Sequence, residues 1–168
     1  MNADGSGIVD LSVHDASDFQ PQWSADGSKI IFVSNRSGRS AIYSMNIFGE
    51  NIVRLSDTTK NSYSPVVSPD GKTILYLYGT DGTDYELYTM NLDGTNRKQL
   101  TSVPKFVQRN GISWHKGLNQ IFFVEAETVS GGSQLNIWMI NPDGTHQMKM
   151  TTYNGINTDP MVSPVEIQ

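Results

Sequence analysis

The sequence predicts an all-β fold of four-stranded antiparallel units repeated along the chain, and three observations carry that expectation. Only 17% of the 168 residues are charged, against 15 Gly, 7 Tyr and 3 Trp, a balance that favours strands and tight turns over surface helices. A Met-Asn-x-x-Gly phrase recurs at Met1-Asn2, Met45-Asn46, Met90-Asn91 and, as Ile140-Asn141, once more, with the Asn residues 44, 45 and 50 positions apart. A second phrase keeps the same register: Pro21-Gln22-Trp23-Ser24-Ala25-Asp26-Gly27, Pro65-Val66-Val67-Ser68-Pro69-Asp70-Gly71, a degenerate Ile112-Ser113-Trp114-His115, and Pro160-Met161-Val162-Ser163-Pro164. Two phase-locked phrases define an internal repeat of about 45 residues.

Each period has room for about four strands joined by short loops. Strand A is the short segment at the Pro-x-Trp-Ser phrase. Strand B follows the Asp-Gly turn as a continuous apolar run, Ile30–Val33, Ile74–Leu77 or Ile121–Val124, which suits a strand covered on both faces. Strand C is the alternating run Ala41–Met45, Glu86–Met90 or Asn136–Ile140, half buried by its period of two. Asp93-Gly94 and Asp143-Gly144 close hairpins, because Gly accepts the positive φ such turns need. Strand D then ends at Leu11-Ser12, Leu55-Ser56, Leu100-Thr101 or Met150-Thr151, six residues past each Gly.

Repeated four-stranded units of this length, with no heptads and no amphipathic helical stretch, predict β-propeller blades at approximately 21–56, 65–101 and 111–151. The phrases that define them, with Ser34-Asn35-Arg36-Ser37-Gly38 after strand B and Arg54-Leu55-Ser56 at the end of strand D, resemble the repeat of the bacterial TolB-like propellers, a divergent cousin of WD repeats. The resemblance covers nearly the whole chain and weakens in the last unit, where Gly117-Leu118 stands in place of Asp-Gly. It implies a bacterial source, often the periplasm or cell envelope, although Met1–Ser12 has neither the basic nor the apolar region of a signal peptide. It also implies a module that recognises a protein or peptide through one loop rim or the central channel. Similar repeats occur in carbohydrate-acting and peptidase-associated enzymes with a site in the channel, which is the alternative.

The strand count starts with a stray outer strand at 1–12 and stops after a stray inner strand at 160–168. Three blades do not complete a ring alone, and an open arc leaves apolar flanks in water. Two expectations follow: self-association of two chains into a closed ring, or a truncated piece of a longer propeller with no independent activity.

Other classes are weighed by composition. With 12 Lys plus Arg against 17 Asp plus Glu, a net charge of −5 and a pI near 5.0, nucleic acid is a poor partner. No stretch approaches the roughly 20 apolar residues of a span, so membrane insertion is not expected. The absence of Cys excludes disulfides and thiolate chemistry. No Gly-x-Ser-x-Gly elbow and no Gly-rich phosphate loop is present, and the chain is read as a non-enzyme. Asp81, Asp84 and Glu86, or Asp15 and Asp18, could offer oxygens to calcium, but the strings lack the alternating ligand pattern of a calcium loop, and no cofactor or metal is assigned. Asn35-Arg36-Ser37 matches a glycosylation string and is read as part of the repeat.

Binding concentrates in long loops held by a rigid frame. The long segments are Asp57–Ser64, Ser102–Asn110, Glu125–Gln134 and Thr152–Asp159, on the rim opposite the Asp-Gly turns. The candidate binding residues are Tyr63, Tyr85, Phe106, Arg109 and Tyr153, with Phe19 beside them. His115 joins the set because it stands where the sister units carry Ser24 and Ser68.

Overall fold

A computed structural model of the chain describes residues 1–80, 85–102, 106–129 and 132–151. Twelve strands form three four-stranded antiparallel sheets in sequence order. The first holds β1 (Asp18–Trp23), β2 (Lys29–Ser34), β3 (Ala41–Asn46) and β4 (Val53–Arg54). The second holds β5 (Asn61–Val67), β6 (Thr73–Gly79), β7 (Glu86–Asn91) and β8 (Lys98–Gln99). The third holds β9 (Phe106–His115), β10 (Gln120–Val129), β11 (Gly132–Ile140) and β12 (Met148–Lys149). The innermost strand β5 lies beside both β1 and β9, as blades about a common axis require.

The repeated phrases are hydrogen-bonding devices. In the first two units Ser24 and Ser68 close the A–B turn twice over: each hydroxyl donates to Asp26 or Asp70 and accepts the N–H of Lys29 or Thr73. The Asn that opens each C–D turn accepts the Gly N–H three residues on, at Gly49, Gly94 and Gly144. The Ser or Thr after strand D accepts a strand C amide: Ile42 to Ser56, Leu87 to Thr101 and Ile137 to Thr151, at 2.8, 3.0 and 3.0 Å. A strand D of two residues is thereby extended by a side chain that imitates backbone pairing.

Strand B is apolar on both sides because alternate residues face opposite neighbours. Ile31, Ile42 and Leu55 meet Ile74, Tyr76 and Met90 between the first two sheets. Leu75, Leu77 and Leu87 meet Ile121, Phe123 and Ile140 between the second and third. These clusters are the core, and close packing of radial faces is what a propeller offers in place of a single central core.

Several expectations are corrected. Residues 1–12 form no strand; they keep the Asn2–Gly5 turn, and Leu11 packs on the outer flank of the first sheet. Its carbonyl occupies the place of a β-carbon on Gly49, as that of Leu55 does at Gly94, while that of Leu100 only touches the corresponding place at Gly144. The segment thus sits where a preceding strand D would lie, without a strand to pair with. The flank expected to be apolar and wet is largely covered: Phe32 is 2% and Tyr43 5% exposed. Leu11 packs there, and the Arg36 guanidinium lies 5.5 and 5.3 Å from the two ring centroids while paired with Asp18 at 3.0 Å. Trp23, whose strand partner is Ile30, stays 63% exposed.

The expected long loop Glu125–Gln134 is instead mostly hairpin, with β10 and β11 paired from Ile121↔Ile140 out to Val129↔Gly132. Alternation that continues through Thr128-Val129 keeps the two strands together past the rim. The inner strands also start earlier than the repeat phrase, at Asp18, Asn61 and Phe106. Each contains a register shift, between Phe19 and Gln22, Tyr63 and Val66, and opposite Phe123 and Glu125, and a bulge hides strand continuity from a period-two reading. The stray inner strand expected at 160–168 lies outside the described residues. Among the described residues no helix is long and apolar enough to cross a membrane.

Candidate functional site

The inner-strand bulges create a polar seam along the axis. Gln20 and Ser64 stand 44 residues apart, one repeat, and both have φ of 52°, a left-handed conformation that costs about 1–2 kcal/mol for a residue with a side chain. The strain is offset by hydrogen bonds between the bulges. The Ser64 N–H donates to Gln20 Oε1 at 2.8 Å, and Gln20 Nε2 donates to Ser64 Oγ at 3.3 Å and to Asn110 Oδ1 at 3.4 Å. The Ser64 hydroxyl donates in turn to the Arg109 carbonyl. Three inner strands are stitched at one level, and the side chains just above that level are held in place.

Those side chains include three of the sequence-predicted candidates, Tyr63, Tyr85 and Arg109, with Phe19 beside them. Tyr63, near the start of β5, meets Tyr85, which precedes β7, edge to face with centroids 5.5 Å apart. Phe19 of β1 lies 6.2 Å from Tyr63. Arg109 reaches across from β9, and its guanidinium carbon is 4.5 Å from the Tyr63 centroid and 5.5 Å from that of Tyr85. The tyrosines are almost wholly buried, while Arg109 and Asn110 are exposed. The arrangement is a buried aromatic platform with a cation on its solvent side, a geometry that favours guanidinium stacking.

The structure places one remaining candidate, His115, away from this cluster. Phe106 begins β9; Tyr153, Asp81 and Asp84 lie outside the described residues. His115 ends β9 at the opposite rim, where its Nδ1 accepts the N–H groups of Gly117 and Leu118, both at 3.0 Å. It does for the third A–B turn what Asp26 and Asp70 do for the others. Glu86 is buried and accepts a 2.6 Å hydrogen bond from Thr101, and Asp18 is the partner of Arg36. Among the described residues no group of three or more His, Cys, Asp or Glu is placed to hold a metal.

Sequence reasoning missed two features. Gln20, Ser64 and Asn110 carry no motif, and the only available signal was the interruption of apolar alternation just before each Pro-x-Trp phrase. The second is an inter-blade cluster in which Asp57 accepts from Thr59, Tyr78 and Arg97 beside Tyr76 and Tyr88. Three tyrosines at alternating positions of paired strands were its trace in the sequence.

Comparison with known proteins gives one direction. The TolB beta propeller domain model matches residues 1–166. The Protein TolB homolog of Chlorobaculum tepidum is 32% identical over 133 residues, 77% of this chain and 28% of that protein. Among solved structures, TolB from Acinetobacter baumannii superposes with a TM-score of 0.66 at 20% identity, over 83% of this chain and 33% of the other. A puromycin-hydrolyzing peptidase of Mycobacterium tuberculosis superposes with a TM-score of 0.64 at 14% identity, over 80% and 20%; at those identities both structures speak to the fold alone. The chain spans under a third of the length of the TolB homolog it matches.

Proposed function

Because the chain belongs to the TolB beta propeller domain family, we propose that it is a non-enzymatic binding module that takes a protein or peptide segment at the axial end of its long-loop rim. The observation that carries this reading is the Arg109–Tyr63–Tyr85 cluster with Phe19 beside it. Aromatic and Arg side chains dominate the energetics of protein recognition when a rigid frame preorganises them. Here the frame is the strained, cross-bonded seam of Gln20, Ser64 and Asn110, and strain of that kind concentrates at working sites.

Binding is favoured over an enzymatic use of the channel because His115, the one histidine singled out, is engaged in a turn on the far rim. The family's shared scaffold also serves peptidases, so the fold itself does not decide function.

The test is selection of a synthetic random octapeptide library on the immobilised chain, followed by photo-cross-linking of the retained peptides. Cross-links at 18–20, 61–64 and 106–110 support the rim as the binding surface. Cross-links confined to the Asp-Gly turns or the outer strands, or no retained peptide, refute it. Light scattering across concentration decides self-association independently: a concentration-dependent dimer supports ring completion by a second copy, and a monomer throughout rejects it.

A further inference from the structure

The geometry points to a carboxylate as the ligand group that the rim recognises, with Arg109 as the residue that selects it. This rests on the reading of the rim as a peptide-binding surface and adds the chemistry of the ligand.

Arg109 is exposed, yet its side chain is not free to wander, because two tyrosine faces from the neighbouring blade support it. Among the described residues none accepts a hydrogen bond from its guanidinium, and no described carboxylate pairs with it; only its backbone carbonyl is engaged, by Ser64. The other two arginines that lie over rings among the described residues differ on that point. Arg36 lies over Phe32 and Tyr43 but is paired with Asp18, and Arg97 lies near Tyr78 but is paired with Asp57. Arg109 alone of these three arginines has no carboxylate partner among the described residues.

A guanidinium has five N–H donors in a fixed plane that matches the two oxygens of a carboxylate, and stacking leaves that edge pointing away from the rings. Asn110, the next residue, is exposed too, and its Oδ1 accepts from Gln20 Nε2, which ties the strand that carries Arg109 to the seam beneath. One guanidinium on a chain of net charge −5 suits a monoanion better than a dianion such as phosphate, whose approach the overall charge opposes more strongly. The carboxylate can come from an acidic side chain or from a chain terminus.

Two versions of the octapeptide library separate these sources, one with amidated and one with free C termini. Enrichment of Asp or Glu at one position in peptides retained from the amidated library assigns an acidic side chain; retention only from the free-terminus library assigns the terminal carboxylate. Arg109→Gln is expected to weaken the retained peptides about ten- to a hundredfold, the range for a hydrogen bond to a charged group, and Arg109→Lys to restore part of the loss. Exchanging the retained peptide's carboxylate for its amide should cause the same loss in the wild-type chain and little further loss with Arg109→Gln, a coupling that a general unfolding of the variant would not produce. Rim-cross-linked peptides without a carboxylate preference, or a preference that survives Arg109→Gln, overturn this inference and leave the rim reading standing. Peptides that cross-link away from the rim overturn the rim reading itself.

Discussion

The carbonyl oxygen of Leu55, at the end of one blade, stands 2.7 Å from the place a β-carbon on Gly94 would take in the next. Gly94 has a φ of +87°, so two demands meet at one residue: a left-handed turn and a backbone pressed against it from the preceding blade. Gly27 has a φ of +69° and nothing within 4 Å of its missing β-carbon, so only the turn constrains it. Gly27→Ala is expected to cost about 1–2 kcal/mol from backbone strain alone, and Gly94→Ala distinctly more. Equal shifts in the urea midpoint of the two variants would show that the blade-to-blade contact contributes nothing.

Thr101 performs two tasks with one hydroxyl, accepting the Leu87 N–H at 3.0 Å and donating to Glu86 at 2.6 Å in a buried setting. Thr101→Val keeps the shape but leaves the buried Leu87 N–H without its acceptor and removes one donor from Glu86, which is expected to cost about 1–3 kcal/mol. Thr101→Ser keeps the hydroxyl and should recover most of it. A valine variant as stable as the wild type in urea unfolding would remove the hydrogen-bonding explanation of the Leu-Ser/Thr phrase.

The strands legible in the sequence were those whose side chains face a neighbouring blade. Ile30–Val33 and Ile74–Leu77 read as continuous apolar runs because adjacent residues pack in opposite directions on different sheets, and the propeller follows from repeating that pattern. The site was legible in part for the same reason: Tyr63, Tyr85 and Arg109 are large side chains near long loops, where recognition is expected, and the fold brings them together. What was hidden is the seam beneath them. Gln20 and Ser64 hold a positive φ that no residue type announces, and the bonds that compensate for it join residues one repeat apart. Likewise the cover over Phe32 and Tyr43 comes from Leu11 and Arg36, and that Arg36 would fold back onto the apolar flank of its own blade left no trace in the spacing.

Tyr76 is wholly buried and its hydroxyl has no hydrogen-bond partner among the described residues. Burial pushes its phenol up to about 12 from the ordinary 10.0, so the folded chain favours the neutral form. The stability this gives is complete below pH 10 and is lost as pH rises towards the folded value. Tyr76→Phe removes both the unsatisfied hydroxyl and the ionisation; a gain of about 1 kcal/mol at neutral pH is expected, with unfolding above pH 10 moved to higher pH. A loss of stability on this substitution, measured by urea unfolding at pH 7, would mean that the hydroxyl has an acceptor after all.

Asp57 gives the opposite slope at the acid end. Burial pushes its carboxyl upward, but hydrogen bonds from Thr59, Tyr78 and Arg97 outweigh that and hold it well below the ordinary carboxylate value. A depressed folded value means that its contribution is present above about pH 4 and is lost as pH falls below it, when the unfolded chain takes up protons first. The side chains of Asp57 and Arg97 are 41% and 29% exposed, so solvent screens the pair and the effect should stay below about 1 kcal/mol. Asp57→Asn is therefore expected to flatten the fall in the urea midpoint between pH 5 and pH 3 by a small, measurable amount. The same fall in wild type and variant would place the acid sensitivity on other carboxylates, with Asp26 the next to substitute because Ser24 and Ser28 hold it down to about 2.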